Sequence, residues 1–180
     1  MAILHRQDIE IALRRLGEIA AAEKQLLRVV IVGGAAMVLG YNARQSTRDV
    51  DGVFVEPPLR SVTRQWIAQV ASEQLWPDDW FNDAAKGFMV GVSFGRLLFS
   101  SHGIEVWQPL PEQLLAMKLG AWRDDLDVTD AICLLRDVFS SGSRDDIWGR
   151  VESFLTPGQE LKAKYAFDNL WEEIAHDQPR

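Results

Sequence analysis

The chain has 180 residues, 47% hydrophobic and 25% charged, which fits an ordinary globular protein of one domain or two small lobes sharing a core. A net charge of −7 and a pI near 5 argue against broad, tight contact with a nucleic-acid backbone, while leaving room for a local basic pocket built from Arg44, Arg48, Lys86, Lys118 and Arg123. A single cysteine, Cys133, excludes an internal disulfide and fits a reducing cytoplasm.

The polar run His5-Arg6-Gln7-Asp8 interrupts any apolar leader. Ile9, Leu13, Leu16 and Ala20 then recur at helical spacing and predict an amphipathic helix over 7–23. Residues 28–33 read as an apolar strand and 34–41 as a short helix. The stretch from Val29 to Tyr41 is too short to span a bilayer, so no membrane association is expected. A polar loop at 42–47 precedes a strand at 48–55, which Pro57-Pro58 stops. Residues 60–72 read as helix and 76–85 as a loop rich in turn residues. Phe88 to Val92, Leu97 to Ser100 and Ile104 to Trp107 read as strands, with Ser101-His102-Gly103 as the turn between the last two. Helices are predicted at 112–122, about 127–139 and about 144–154, the last opened by a Ser143-x-x-Asp146 capping pattern. A final helix would be capped by Thr156 with Pro157 in its first position. Residues 1–108 are thus mixed α/β and 109–180 helical, taken as two lobes of a single compact domain.

Asp49 and Asp51 carry the clearest chemistry. Residues i and i+2 of a strand point to one face, so the two carboxylates would stand side by side on an apolar scaffold. Two like charges there resist burial unless something cationic neutralises them, and an oxygen-rich site suits Mg²⁺ or Mn²⁺. The plain alternative is a solvated edge strand with its charges turned outward. Upstream, Gly33-Gly34 ends the first apolar strand, and glycines there allow close backbone approach to phosphate or simply relieve crowding at the turn. No Gly-Lys-Ser/Thr follows, so this is not a Walker loop, and it lacks the Gly-x-Gly of a dinucleotide turn. Thr47 and Ser46 are hydroxyls near the pair. Glu105, between Ile104 and Val106, is either solvated or directed into the site. Asp127 and Asp130 have the spacing of an N-cap and its third residue. Lys118 lies among Leu114, Leu115, Met117 and Leu119, where a lysine can snorkel to water. Cys133, in an apolar helical run, reads as a small core residue rather than a reactive thiol. His5, His102 and His176 have no zinc-ligand spacing.

Four segments together carry a resemblance. They are Val32-Gly33-Gly34-Ala35-Ala36, Thr47-Arg48-Asp49-Val50-Asp51, Trp80-Phe81-Asn82-Asp83-Ala84-Ala85-Lys86, and Leu114-Leu115-Ala116-Met117-Lys118-Leu119, followed by Arg123, Asp127 and Asp130. Over residues 28–135 the chain resembles the nucleotidyltransferase superfamily that includes polymerase beta and the abortive-infection toxins. It looks closer to a smaller, uncharacterised bacterial and archaeal nucleotidyltransferase branch. The resemblance implies an α+β nucleotidyltransferase fold, a small mixed sheet flanked by helices, with a C-terminal helical lobe. It implies Asp49 and Asp51 as Mg²⁺ or Mn²⁺ ligands, with Glu105 as a third carboxylate. Gly33, Gly34, Thr47, Arg48, Asn82, Asp83, Arg123 and Asp130 would face the nucleotide, and Lys118 its phosphates. Trp80 would either stack on a base or pack in the core. Many superfamily members have Gly-Ser where this chain has Gly-Gly, so a phosphate-binding hydroxyl must come from elsewhere, with Thr47 and Ser46 as candidates. The implied reaction moves a nucleoside monophosphate from a nucleoside triphosphate to a hydroxyl of an RNA end such as tRNA, a protein or a small molecule. A partner protein in a toxin–antitoxin pair fits the same resemblance. The rival readings are a nucleotide-binding regulator or antitoxin without catalysis, and a structural α/β interaction module.

Overall fold

The structure, a computed structural model, describes residues 3–55, 59–122, 125–139 and 141–177. It is α+β. The chain divides into two compact units, Met1–Lys86 with Phe94–Pro109, and Gly87–Ser93 with Leu110–Arg180.

The first unit is built on a five-stranded mixed sheet. Its strands are β2 (Leu27–Ile31), β4 (Val50–Val55), β5 (Phe81–Asn82), β6 (Leu97–Ser101) and β7 (Ile104–Trp107), in the spatial order β5-β4-β2-β7-β6. β2 runs antiparallel to β4 and parallel to β7. β4 is parallel to β5, and β6 pairs antiparallel to β7. The register separates two faces. Gly52 opposite Ile31 and Phe54 opposite Val29 belong to one, while Val53 opposite Val30 and Val55 opposite Arg28 belong to the other, which Asp51 shares.

Helix α1 (Arg6–Ala22) buries Ile9, Leu13, Leu16 and Ala20, the stripe that its sequence spacing predicts. Gly17 lets it settle on β7, because a Cβ there would lie 2.6 Å from the Ile104 side chain. Helix α3 (Arg60–Gln74) packs beside α1, and the Arg15 guanidinium bridges them through both oxygens of Glu73, at 2.7 and 3.0 Å. That pairing, with a hydrogen bond from Gln69, holds the Glu73 carboxyl down to about 2. A second small sheet pairs β1 (Leu4–His5) with β3 (Ser46–Thr47), setting the fully buried Leu4 opposite Thr47. This strand pair was not expected within the polar loop.

The second unit is helical. Its helices are α4 (Pro111–Ala121), α5 (Asp125–Phe139), α6 (Arg144–Glu152) and α7 (Glu160–Asp177). Helix α4 is enclosed on nearly every side, which is why its sequence shows no clean amphipathic stripe. The expected strand from Phe88 to Val92 does not form. Fully buried Gln113 takes over its backbone partners, accepting from the Ser93 amide at 2.9 Å and donating to the carbonyls of Gly91 and Val90 at 3.1 and 3.3 Å. A side chain, not a ladder, satisfies this segment. The predicted capping box at Ser143 and Asp146 does form. Pro157 is not the first residue of the last helix. A turn from Gln159 back to Thr156 intervenes, and the Glu160 carboxylate accepts from the Gly158 amide, so α7 begins at Glu160. Phe167 of α7 packs between Trp148 and Trp171. Cys133 is half-buried rather than a core residue, and its burial pushes the thiol pKa up. No helix among the described residues is long and apolar enough to cross a membrane. The expected stop at Pro57-Pro58 lies outside the described residues.

Candidate active site

β2 ends at Ile31, and the chain turns through Val32 and Gly33 into the short helix α2 (Gly33–Ala36), which continues as a π-helical turn over Met37–Tyr41. Gly33 has φ +60°, a left-handed conformation that L side chains rarely adopt. A Cβ on it would stand 3.0 Å from Asp51 Oδ2. At Gly34 a Cβ would stand 2.6 Å from the Thr47 hydroxyl and 3.6 Å from an Arg44 guanidinium nitrogen. Both glycines are therefore demanded by close approach, to a carboxylate in one case and a hydroxyl in the other. The Val32 amide donates to the Asp51 carbonyl at 2.9 Å, which fastens the turn to the strand bearing that carboxylate.

The strand carrying the aspartates is shorter than 48–55. β4 starts at Val50, and Arg48 and Asp49 form a bend between β3 and β4. Asp49 and Asp51 are both half-buried, and Arg48 is exposed. β5 contributes the next group. Asn82 stands opposite Asp51 in the parallel register, and its amide Nδ2 donates to Asp49 Oδ2 at 3.3 Å. The Asn82 carbonyl oxygen is held in turn by the Ala84 amide at 3.0 Å, which fixes the amide with its NH₂ toward Asp49. Gly33, Gly34, Thr47, Asp49, Asp51 and Asn82 thus meet at one end of β2, β4 and β5.

Other expected site residues lie elsewhere. Glu105 is paired with Arg28 at 3.2 Å. It sits opposite Arg28, whereas Asp51 sits at the level of Val32. That is four residues along the sheet, about 13 Å, and two strands across, about 10 Å. The structure does not bring Glu105 to the pair, and no set of three His, Cys, Asp or Glu suited to a metal occurs among the described residues. Asp83 turns away to pair with Arg60 at 3.0 Å. Trp80 is a core residue, 1% exposed, whose indole N–H donates to the Ile67 carbonyl. Ser46 lies beside Thr47 in β3, and its backbone faces His5.

In the second unit the Lys118 ammonium is buried between two carboxylates, Asp127 at 3.0 Å and Asp130 at 2.7 Å. These aspartates do not cap a helix. α5 starts two residues before Asp127, and the i, i+3 spacing puts both on the face turned to Lys118. Arg123 lies outside the described residues.

Two contributors were not singled out from sequence. In the sequence Arg44 is one nearby cation among several, yet it lies against Gly34. Arg6 donates to the carbonyls of Val38 and Leu39 at 2.5 and 2.9 Å, satisfying groups exposed by the π-helical turn. No local pattern marks an arginine thirty residues upstream for that task.

The donor set fits a small, hard divalent cation. Mg²⁺ commonly takes one or two protein carboxylates and completes its shell with water and phosphate oxygens. Asp49 and Asp51 could supply that share, and Gly33 has no side chain to stand between the turn and the Asp51 carboxylate.

A family model described as "nucleotidyltransferase of unknown function (DUF6036)" matches residues 12–139, from within α1 to the end of α5. No curated protein and no solved structure matches the chain.

Proposed function

The chain belongs to this nucleotidyltransferase family, and from that premise we propose that it transfers a nucleoside monophosphate from a nucleoside triphosphate to an acceptor hydroxyl. The observation that carries the reading is the convergence of two glycines, a threonine hydroxyl, two aspartates and an asparagine amide at one sheet end. Asp49 and Asp51 would hold Mg²⁺ or Mn²⁺, which when bound screens phosphate charge and favours the ionised acceptor. The turn at Gly33 and Gly34 lets phosphate oxygens approach the backbone. Thr47 offers the hydroxyl beside Gly34. Arg44 and Arg48 balance triphosphate charge in this reading, since the Lys118 ammonium is enclosed by Asp127 and Asp130. Asn82 is a positioning residue that fixes the Asp49 carboxylate. The acceptor oxygen bonds to the α-phosphorus as the bond to the bridging oxygen breaks, pyrophosphate leaves, and the acceptor proton is released. The acceptor is an RNA end, a protein hydroxyl or a small molecule, and the resemblance to abortive-infection enzymes supports a cytoplasmic role in a toxin–antitoxin pair.

A second reading, a nucleotide-binding regulator without turnover, is favoured by the separation of Glu105 from the aspartate pair. Incubating the full chain with each α-labelled triphosphate, Mg²⁺ and total RNA or protein separates the two. Transfer of label to a macromolecule, lost with chelator and in Asp51→Asn, is the expected result. Saturable triphosphate binding without transfer would assign the regulator role. Equal transfer by wild type and Asp51→Asn would remove the site.

A further inference from the structure

A cavity of about 300 Å³ lies in the first unit beside β4 and β5, and its border reaches Asn82, whose amide meets Asp49. Its aromatic wall is Phe54 and Phe81, whose rings sit 4.9 Å apart. Phe81 pairs in register with Val50, and Phe54 alternates with Asp51 and Val53, so both rings stand on the face opposite Asp51. Ile67 and Thr63 of α3 form the facing wall.

Two features mark this cavity as more than a packing gap. Thr63 is 4% exposed, lines the cavity, and its hydroxyl has no hydrogen-bond partner. A buried hydroxyl left unpaired is costly, and such groups are usually satisfied by something that occupies the space beside them. The rim is cationic. Arg60 is matched by Asp83, which leaves Arg64 and Lys86 against Asp79. Among the described residues neither Arg64 nor Lys86 makes an ion pair.

We propose that the cavity between α3 and strands β4 and β5 is a second binding site, for a small aromatic ligand bearing one anionic group. The ring enters between Phe54, Phe81 and Ile67. A turn of the Thr63 side chain, whose hydroxyl is closed off in the ligand-free chain, lets it pair with a polar atom on the ligand, and the carboxylate or phosphate meets Arg64 and Lys86. The volume is at the lower end for small-molecule sites and holds one substituted ring. The inference does not rest on the nucleotidyltransferase reading, because the two rings face away from Asp51 and Asn82 alone is shared between the cavity and the aspartate pair.

Calorimetry on the full chain tests it with four probes: phenyl phosphate, 3-phenylpropionate, neutral benzyl alcohol and inorganic phosphate. Both aromatic anions should bind at least about tenfold tighter than benzyl alcohol or inorganic phosphate. The ratio between them identifies the anionic group as phosphate or carboxylate. Arg64→Gln and Lys86→Gln should each weaken the aromatic anions, whereas Asp49→Asn should leave their binding unchanged. Thr63→Val keeps the shape and removes the orphaned hydroxyl, so it should raise the melting temperature of the ligand-free protein while weakening the ligand. Aromatic anions that bind no tighter than benzyl alcohol would overturn the proposal, as would binding lost in Asp49→Asn but kept in Arg64→Gln. Competition by Mg²⁺ and a triphosphate would reassign the probes to the carboxylate face and equally overturn it.

Discussion

Asp49 and Asp51 are held by neighbours that tolerate little change. Asp49→Asn preserves an oxygen for the Asn82 amide, so the local hydrogen bond survives while the charge is lost. Both Asp49→Asn and Asp51→Asn should lower transfer by roughly a hundredfold or more. Their effect on folding should be neutral or slightly stabilising, since one of two like charges is removed. Transfer assays and thermal melts on the same samples check this, and wild-type rates in both variants would sink the assignment. Gly33→Ala tests the turn. It forces a side chain into φ +60° and sets a Cβ 3.0 Å from Asp51 Oδ2. The left-handed conformation alone costs about 1–2 kcal/mol. Urea denaturation should show that loss, and activity should fall further than stability because Asp51 is displaced. A variant with unchanged stability would show that the turn relaxes freely.

At the scale of elements, ion pairs link helices in ways that separate structural from catalytic roles. Lys118 joins α4 to α5 through Asp127 and Asp130 and is 6% exposed. Lys118→Ala would strand two carboxylates in the second unit, and breaking a buried pair from one side typically costs about 3–5 kcal/mol. A large drop in melting temperature is therefore expected, in place of the selective loss of phosphate affinity that the resemblance alone suggests. Reduced triphosphate affinity at an unchanged melting temperature would return Lys118 to the nucleotide. The Arg15–Glu73 pair between α1 and α3 behaves differently because it is exposed. The Arg15 guanidinium, with the Gln69 amide, holds the Glu73 carboxyl down to about 2, below the ordinary carboxylate range near 4.5. A depressed folded pKa favours the folded state above pH about 4.5, and that contribution is lost as pH falls toward about 2. Glu73→Gln should melt slightly below wild type at neutral pH and converge with it near pH 2. A constant gap across that range would show the pair is not the cause. These elements also show what the sequence discloses. The stripe of α1 and the Ser143 box are local patterns, and the structure contains both. The segment from Phe88 to Val92 has strand composition, yet Gln113, twenty residues on, satisfies its backbone. No local pattern encodes that partner. The approach of Asn82 to Asp49 is similarly hidden, because β5 is only two residues long and its parallel pairing with β4 is long-range.

For the molecule as a whole, the charge distribution limits how RNA could serve as an acceptor. The net charge is −7, and many arginines are already committed. Arg15 pairs with Glu73, Arg28 with Glu105, Arg60 with Asp83, Arg144 with Asp168 and Arg150 with Glu112. Near the aspartate pair the cationic side chains on the first unit are few, chiefly Arg44 and Arg48, with Arg44 lying against the glycine turn. A ligand that follows a phosphate backbone over many nucleotides needs a row of such groups, and each neutralised phosphate adds to the salt dependence. For a single strand the slope of log K against log salt is about −0.7 per phosphate contacted. We expect about two to four contacts, hence a slope between about −1.4 and −2.8. Binding of a short single-stranded RNA, measured by anisotropy from low to moderate salt, gives this directly. The acidic surface beyond the site should also keep non-specific affinity weak at physiological salt. Arg48→Gln should flatten the slope by roughly 0.7 if that exposed side chain meets a phosphate. A slope corresponding to about eight or more contacts would require an extended basic face, which is at odds with a net charge of −7 and with the pairing of these five arginines to the chain's own carboxylates.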